Sequence, residues 1–540
     1  MSSPVSPGGA RPVWTIGAAS AREVTPREVG RKAFNLMMMS EAGLPTPPAF
    51  VLGTQSCQRF VEAGGTLDDE VVDDVLNGIG TLERLTGQRF AAGRRPLLVS
   101  VRSGAAVSMP GMLETILNVG LSDATLPGLL RATGDPVFVW DSYRRLIQAY
   151  AEVVEGCPAA PFARVLTEVM VQFGAPTADE LDVAALRAVV RRQQDVFRSI
   201  VGRAFPQDPE EQLLGAVAAV FRSWNSPKAV TYRAMQGLTD LIGTAVTVQA
   251  MVFGNMGAAS GSGVGFTRDP ATGENRPYID FILNAQGEDV VAGRHTVGDS
   301  DRSIAAVPGL AHQLQNVRRT LEVLFRDVQD FEFTVQEGTL WMLQTRTAKR
   351  TPWAALRIAC DLVDEGLVDV ATALDRLEPY ALDTISRLRV ADEDDVEVLG
   401  RGTPASDGVG SGRMALTTDA AQQFCLDGDP VVLVRHEAST EDIPGLAVCR
   451  GLVTATGART SHAAVVARQL GLACVVGCAG LEVDADHGRL RMGDAELREG
   501  DLVTVDGGTG LVYRGEPALR LERPDDLIRR VEDWRQSSSD

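Results

Sequence analysis

From Arg31 to Leu377, short apolar runs alternate with stretches whose apolar residues recur every three or four positions. That pattern predicts strands alternating with amphipathic helices. Strands are expected over Pro96–Arg102, Thr244–Phe253 and Leu340–Arg346, and helices over Phe138–Val154, Leu181–Val201, Pro209–Trp224 and Trp353–Glu365. A Gly-rich region, Gly254–Gly265, lies among them. From about Gly402 to Tyr513 the pattern changes. Short β-branched runs, Val431–Val434, Leu452–Thr456, Ala473–Val476 and Leu502–Asp506, are bounded by glycines, with one helix expected over His462–Leu470. Between the two regions, Ala391–Glu397 carries five acids in seven residues and reads as a solvated linker. No internal repeat is visible. The fold class expected is multidomain, α+β or α/β. Residues 1–20 read as a flexible tail, 21–375 as a large domain, 376–400 as the linker, 401–515 as a small domain and 516–540 as a second tail.

Composition narrows this picture modestly. Apolar residues make up 44% and charged residues 23%, which are globular values rather than disordered ones. Seventy-one acids against 52 bases leave a net charge of −19, an argument against a broad nucleic-acid or anionic-membrane surface. Only Lys32, Lys228 and Lys349 are lysines, so every other base is arginine. A GC-rich genome accounts for that bias, yet it makes the place of each lysine worth noting. The seven cysteines are widely spaced, as suits reduced thiols, and the single C-x3-C of Cys474 and Cys478 is a weak metal signal. The Pro/Gly/Ser-rich start lacks the apolar core of a signal peptide, and no run approaches the roughly 18 apolar residues of a spanning helix. A cytoplasmic protein is expected.

Candidate chemistry begins at Gly457–Gly471, GARTSHAAVVARQLG. A strand is expected to end at Thr456, a glycine permits a turn, Thr460 and Ser461 are good N-cap residues, and a helix follows. The imidazole of His462 then falls at a helix N-terminus, where unpaired N–H groups and the helix dipole favour an anion such as a phosphoryl group. Neutral imidazole is a competent nucleophile near neutral pH. A structural or metal-ligating histidine is the alternative. A second cluster lies on two expected strands joined by Gln336–Gly338. Asp330 and Glu332 alternate on one, Gln344 and Arg346 on the other, so a hairpin would gather two carboxylates, an amide and a guanidinium. A surface salt-bridge ladder is the alternative there. Neither a GxxxxGK[ST] loop nor an HRD motif occurs, so Walker-type and protein-kinase readings lack their parts.

TSHAAVVAR resembles the phosphohistidine motif of the pyruvate phosphate dikinase and phosphoenolpyruvate synthase family, with His462 at the phosphorylated position. The resemblance is stronger to the dikinases and extends over Gly30–Phe50, Val99–Gly120, WDSYRRLIQAY, FPQDPEEQLLGAVAAVFRSW, TAVTVQAMVFGN, GVGFTRDPATGE, NAQGEDVVAG and QDFEFTVQEGTLWMLQTR. It implies an ATP-grasp nucleotide-binding domain followed by a small swivelling phosphohistidine domain. By the same resemblance Lys32 and Arg102 contact ATP phosphates, a Gly-rich loop at Ser108–Gly111 closes over them, and Gln249 and Met251 line the adenine. An apolar core strand is the alternative for Met251. Arg346 clamps phosphate, and Arg268 and Glu288 are second-tier nucleotide contacts. Asp330, Glu332 and Gln344 face Mg²⁺.

The implied reaction has ATP and inorganic phosphate phosphorylate His462, which passes a phosphoryl group to pyruvate or another acceptor. Only 27 residues follow Tyr513. The family's phosphoenolpyruvate-binding barrel needs roughly 250, so a barrel-bearing partner in trans is expected. An antibiotic- or metabolite-directed dikinase resembling rifampin phosphotransferase, or a non-catalytic ATP-binding or phosphocarrier subunit, are the competing readings; a homo-oligomer stays open. Gly-Ala-Arg (Gly457–Arg459) stands where the family has Gly-Gly-Met, adding a positive charge beside the histidine. Thr460 and Ser461 read as caps or as regulatory phosphorylation sites.

Overall fold

A computed structural model describes residues 13–17, 24–107, 109, 114–235, 237–238, 240–287, 300–391, 396–438, 442–457 and 462–537. Helices form where an apolar stripe is bounded by capping residues. In Pro136–Val153, Asp135 accepts from the Phe138 N–H, a proline opens the first turn, and Phe138, Val139, Tyr143, Leu146, Ile147 and Tyr150 line the buried face. The chain divides into two compact units: Met1–Val252 with Trp341–Gln344, and Phe253–Leu340 with Thr345–Asp540.

The first unit is built on an antiparallel sheet of β1 (Val13–Ile16), β2 (Ala49–Leu52), β3 (Val99–Gly104), β4 (Thr115–Val119) and β5 (Ala245–Ala250), in the order β1-β2-β5-β3-β4. Its first strand corrects an expectation. Val13–Ile16 falls within the stretch read as a flexible tail, yet Trp14 and Ile16 are buried and the strand pairs fully with β2.

A second antiparallel sheet holds β6 (Gly261–Phe266), β7 (Tyr278–Leu283), β8 (Gln329–Gln336) and β9 (Thr339–Thr347), ordered β7-β6-β8-β9, and lies in the second unit apart from Trp341–Gln344 of β9. The helices Pro352–Asp364 and Val370–Leu377 follow. Then comes a two-stranded ribbon in which β10 (Arg387–Val390) pairs with the late strand β22 (Leu519–Glu522). Between these two strands the chain forms the small domain. Its strands are β11 (Val398–Arg401), β12 (Thr403–Ser406), β13 (Val409–Ala415), β14 (Val431–Arg435), β15 (Gly451–Thr454), β16 (Ala473–Val476), β20 (Leu502–Asp506) and β21 (Leu511–Arg514), ordered β11-β21-β20-β13-β14-β15-β16-β12. A separate three-stranded sheet holds β17 (Leu481–Asp484), β18 (Arg489–Met492) and β19 (Ala495–Arg498).

The run from β13 to β16 is parallel and covered on both faces. Val432, Val434 and Val453 enter one core, and Val431, Leu433 and Leu452 enter the other, which is why VVLV shows no polar alternation. The multidomain mixed fold expected from the pattern holds. Residues 516–540, read as a tail, instead supply β22 and a helix, Asp525–Ser537, whose Ile528 and Val531 join the core of Pro352–Asp364. Among the described residues no helix is long and apolar enough to cross a membrane.

Candidate functional site

In the first unit the candidate residues gather around β3 and β5. The helix Pro26–Glu41 is broken at Gly30, whose φ of 76° and ψ of 154° are not helical. Only glycine fits there: a Cβ would lie 2.1 Å from the carbonyl oxygen of Gly104 at the end of β3. Arg31 N–H then donates to Ala105 O at 2.9 Å. A fresh helical turn therefore starts beside the end of β3, and Lys32 lies in it. Arg102 sits half-buried on β3 with Nε donating to Ser100 Oγ at 3.2 Å. The register pairs Ser100 with Gln249 and Arg102 with Thr247, so all four share one face of the sheet.

Gln249 is almost wholly buried in β5, its Nε2 donating to Pro47 O at 3.1 Å. Its Oε1 is buried and, among the described residues, receives no hydrogen bond. Such an orphaned acceptor fits an amino-group donor such as adenine carries, though only at a buried position. Met251 is half-buried just beyond β5, its N–H bonded to Leu98 O. Gln344 groups with this unit and is also half-buried. Of the Gly-rich loop Ser108–Gly111 only Met109 is described, so that expectation lies outside the described residues, as does Glu288.

The second unit builds its acids on the β8–β9 hairpin. Glu337 and Gly338 both have positive φ, 50° and 81°, as a two-residue primed turn requires. Strand β6 reads Gly-Ser-Gly-Val-Gly-Phe for a reason. A Cβ on Gly263 would lie 2.4 Å from the Phe333 ring, and one on Gly265 2.7 Å from Phe331. The phenylalanines of β8 occupy the glycine face, which turns Asp330 and Glu332 to the other face of the sheet. There Arg346 Nε donates to Asp330 Oδ2 at 2.7 Å. Burial raises the Asp330 carboxyl above its ordinary range, with Arg346 opposing and Glu332 reinforcing the shift. Two carboxylates beside one guanidinium are a donor set that fits Mg²⁺, which uses one or two carboxylates and leaves positions for phosphate and water.

Arg268 is placed elsewhere. Expected as a second-tier nucleotide contact, it is fully buried, with Nε and Nη2 bonded to Glu322 at 3.0 and 2.9 Å and Nη2 to Glu365 at 2.6 Å. Carboxylates from two helices already surround it, so it ties β6 to those helices rather than facing a phosphate. Sequence reasoning also passed over Asp280, Tyr278 and Phe266, which the register brings to the same face as Asp330 and Glu332. The alternation YIDFIL was the available signal for Asp280.

His462 opens the helix His462–Leu470, which crosses from β15 to the parallel neighbour β16. Functional groups in parallel sheets collect at the carboxyl ends of the strands, and this helix starts from that end. The turn after β15 is tied down: Thr456 N–H and Oγ1 both donate to His436 O, at 3.0 and 3.1 Å, and Gly457 takes a φ of 117°. Residues 458–461, with the expected caps Thr460 and Ser461, lie outside the described residues, as does the His462 side chain.

Residues 66–304 match the family "Pyruvate phosphate dikinase, AMP/ATP-binding domain", and residues 427–510 match "PEP-utilising enzyme, mobile domain". Along 530 residues the chain is 42% identical to the pyruvate, phosphate dikinase of Rhizobium meliloti (strain 1021), covering 95% of this chain and 59% of that protein. Both matches are to domains of the pyruvate phosphate dikinases, and the chain is similar to these enzymes along nearly all of its own length. The Clostridium symbiosum dikinase is likewise 42% identical over 503 residues, with 93% of this chain and 57% of that protein covered. Identity to the chloroplastic pyruvate, phosphate dikinase 1 of Arabidopsis thaliana is 42% over 493 residues, 91% of this chain and 51% of that protein. The chain thus spans between half and three fifths of the length of these dikinase relatives. Arg102, Gln249, Met251, Arg268 and Glu288 fall inside the AMP/ATP-binding match, and His462 inside the mobile-domain match.

Proposed function

We propose that the chain carries out the ATP-driven half of a dikinase reaction, taking phosphoryl groups from ATP onto His462. A ring nitrogen of His462 attacks the β-phosphorus of ATP, and the bond from that phosphorus to the α-bridging oxygen breaks, releasing AMP. The pyrophosphoryl histidine then loses its terminal phosphoryl to inorganic phosphate, which departs as pyrophosphate and leaves phospho-His462. Lys32 and Arg102 are the proposed cations against the ATP phosphates, with Arg346 as clamp and Gln249 and Met251 along the adenine. Asp330, Glu332 and Gln344 are the residues that would hold Mg²⁺. Bound Mg²⁺ would offset phosphate charge and polarise the phosphoryl oxygens. Pyruvate is the proposed final acceptor.

The observation that carries this reading is the pairing of motifs within one chain. A histidine opening a helix at the carboxyl end of a parallel strand stands in the same unit as two acids and an arginine on the β8–β9 hairpin. Incubation with ATP labelled at the β position tests it: acid-labile label is expected on the wild type and none on His462→Ala. Label retained by that variant would remove His462 from the reaction. Label that forms equally without phosphate and ends as a single phosphoryl group would point to water as the terminal acceptor instead. Adding pyruvate to the labelled protein, with and without a barrel-bearing dikinase fragment, then reads whether the transfer to phosphoenolpyruvate needs a second protein.

A further inference from the structure

Arg468 lies six residues beyond His462 on the same helix, and the proposed chemistry gives it no task. Its Nη1 donates to Ala405 O on β12 at 2.7 Å, which ties the guanidinium to the small domain. Its guanidinium stands 5.5 Å from the ring centroid of Phe266 on β6, in the sheet that carries the acids. The register of that sheet defines its surroundings. Tyr278, Phe266 and Asp330 form one cross-strand row, and Asp280, Val264 and Glu332 form the next, all on one face. A second tie crosses nearby, where Tyr278 Oη donates to Pro404 O at 3.0 Å, one residue before the carbonyl that anchors Arg468. Burial lowers the Arg468 pKa, and Asp330, Asp269 and Asp280 are among the groups that oppose it. In turn, Arg468 is among the charges acting on Asp330.

We propose that Arg468 is a positioning residue that seats the histidine helix on the carboxylate face of the β6–β9 sheet for the transfer from ATP. This rests on the ATP-to-histidine reading above. An arginine suits the task better than a lysine, because a planar guanidinium can lie over Phe266 while donating in its own plane to Ala405 and toward the acids. Arg468 touches no reacting atom; it acts by holding the helix.

The test uses the full chain with Arg468→Met, Arg468→Lys and Asp280→Asn. Three quantities are measured: the single-turnover rate of acid-labile labelling from β-labelled ATP, the affinity for ATP, and the radius of gyration by small-angle X-ray scattering. Arg468→Met is expected to slow labelling by about tenfold to a hundredfold, the scale on which small misplacements act. Its ATP affinity should stay unchanged, and its radius of gyration should rise as the small domain leaves the sheet. Arg468→Lys should recover part of the rate. Asp280→Asn should slow labelling too, and the double variant should lose no more than Arg468→Met alone, as expected if the Asp280 charge acts only by way of Arg468. A Met variant with wild-type rate and wild-type dimensions overturns the inference. So does a rate loss matched by an equal loss of ATP affinity, which would mark a general structural defect. If Arg468→Met fails to fold, Arg468→Lys and Asp280→Asn decide by the same criteria. A wild type that acquires no label overturns the ATP-to-histidine reading, and the scattering comparison then decides the seating by itself.

Discussion

Cys425 is the exposed one of seven free thiols, and the other six are buried. Burial pushes Cys57 and Cys360 up to about 11, and Cys449, Cys474 and Cys478 up to about 12, from an ordinary 9.0. Thiolate is the reactive form, so excess maleimide near neutral pH is expected to add once to the native chain, at Cys425, and seven times after unfolding. Mass spectrometry of the intact protein counts the additions; rapid labelling of Cys474 or Cys478 would contradict the packing of the small domain. The same shifts give a sign for alkaline stability. Above pH 9 an unfolded chain loses its thiol protons while the folded chain keeps them until about 11 or 12. The unfolded state then binds fewer protons, and these groups make stability fall as pH rises through that window. The residue scale is also where a reading of the sequence meets its clearest limit. Local motifs pick out His462, Asp330 and Arg346 because their chemistry is written in neighbouring residues. Arg268 stands in an equally suggestive TRDP, but its partners Glu322 and Glu365 lie 54 and 97 residues away, so nothing local could reveal that it is buried.

At the scale of elements, apolar runs bounded by glycine were legible almost residue for residue. Ala473–Val476, Leu502–Asp506 and the helix His462–Leu470 form as the pattern predicts. The expected strand Thr244–Phe253 is shorter in the fold, with β5 ending at Ala250. Its composition stays apolar, but the Phe253 N–H is taken by the Gln336 side chain rather than by a ladder partner. The glycines of β6 were visible as a Gly-rich region without a purpose, since the rings that need the space come from β8. That purpose yields a test. A glycine in a strand interior normally weakens it, yet Gly263→Val should destabilise by about 1–3 kcal/mol through overpacking against Phe333. Gly80→Ala, in the helix Asp69–Thr86 with no neighbour closer than 3.9 Å, should instead gain up to about 1 kcal/mol. Urea midpoints of the two variants should therefore move in opposite directions; a Gly263→Val midpoint at or above wild type would mean the rings do not depend on that groove.

At the scale of the whole molecule, the small domain enters and leaves through one ribbon. The chain comes in along β10 and goes out along β22, paired from Arg387 with Glu522 to Val390 with Leu519. Both strands are only four residues long, and β10 runs into the acidic stretch that reads as a linker while β22 falls in the stretch that reads as a tail; their pairing joins segments about 130 residues apart and leaves no local period. After β22 the helix Asp525–Ser537 returns to Pro352–Asp364, where Val531 is fully buried and Arg530 pairs with Asp364. Arg387 links the ribbon to that helical layer as well, stacking 4.0 Å over Trp353 while donating to Glu522 and Asp407. Two anchors therefore hold the ribbon, one through the returning helix and one through Arg387. Val531→Asp separates them, because an unpaired carboxylate in that core costs several kcal/mol and should expel the helix. Hydrogen exchange is then expected to rise in residues 525–537 and in β10 and β22 together, with trypsin cutting more readily at Arg387 and Arg389. Exchange in β14–β16 should stay slow, since both cores of that sheet lie within the small domain. If the helix exchanges freely while β10 remains protected, the Arg387–Trp353 stack is sufficient to hold the ribbon, and adding Arg387→Ala to Val531→Asp should then release it.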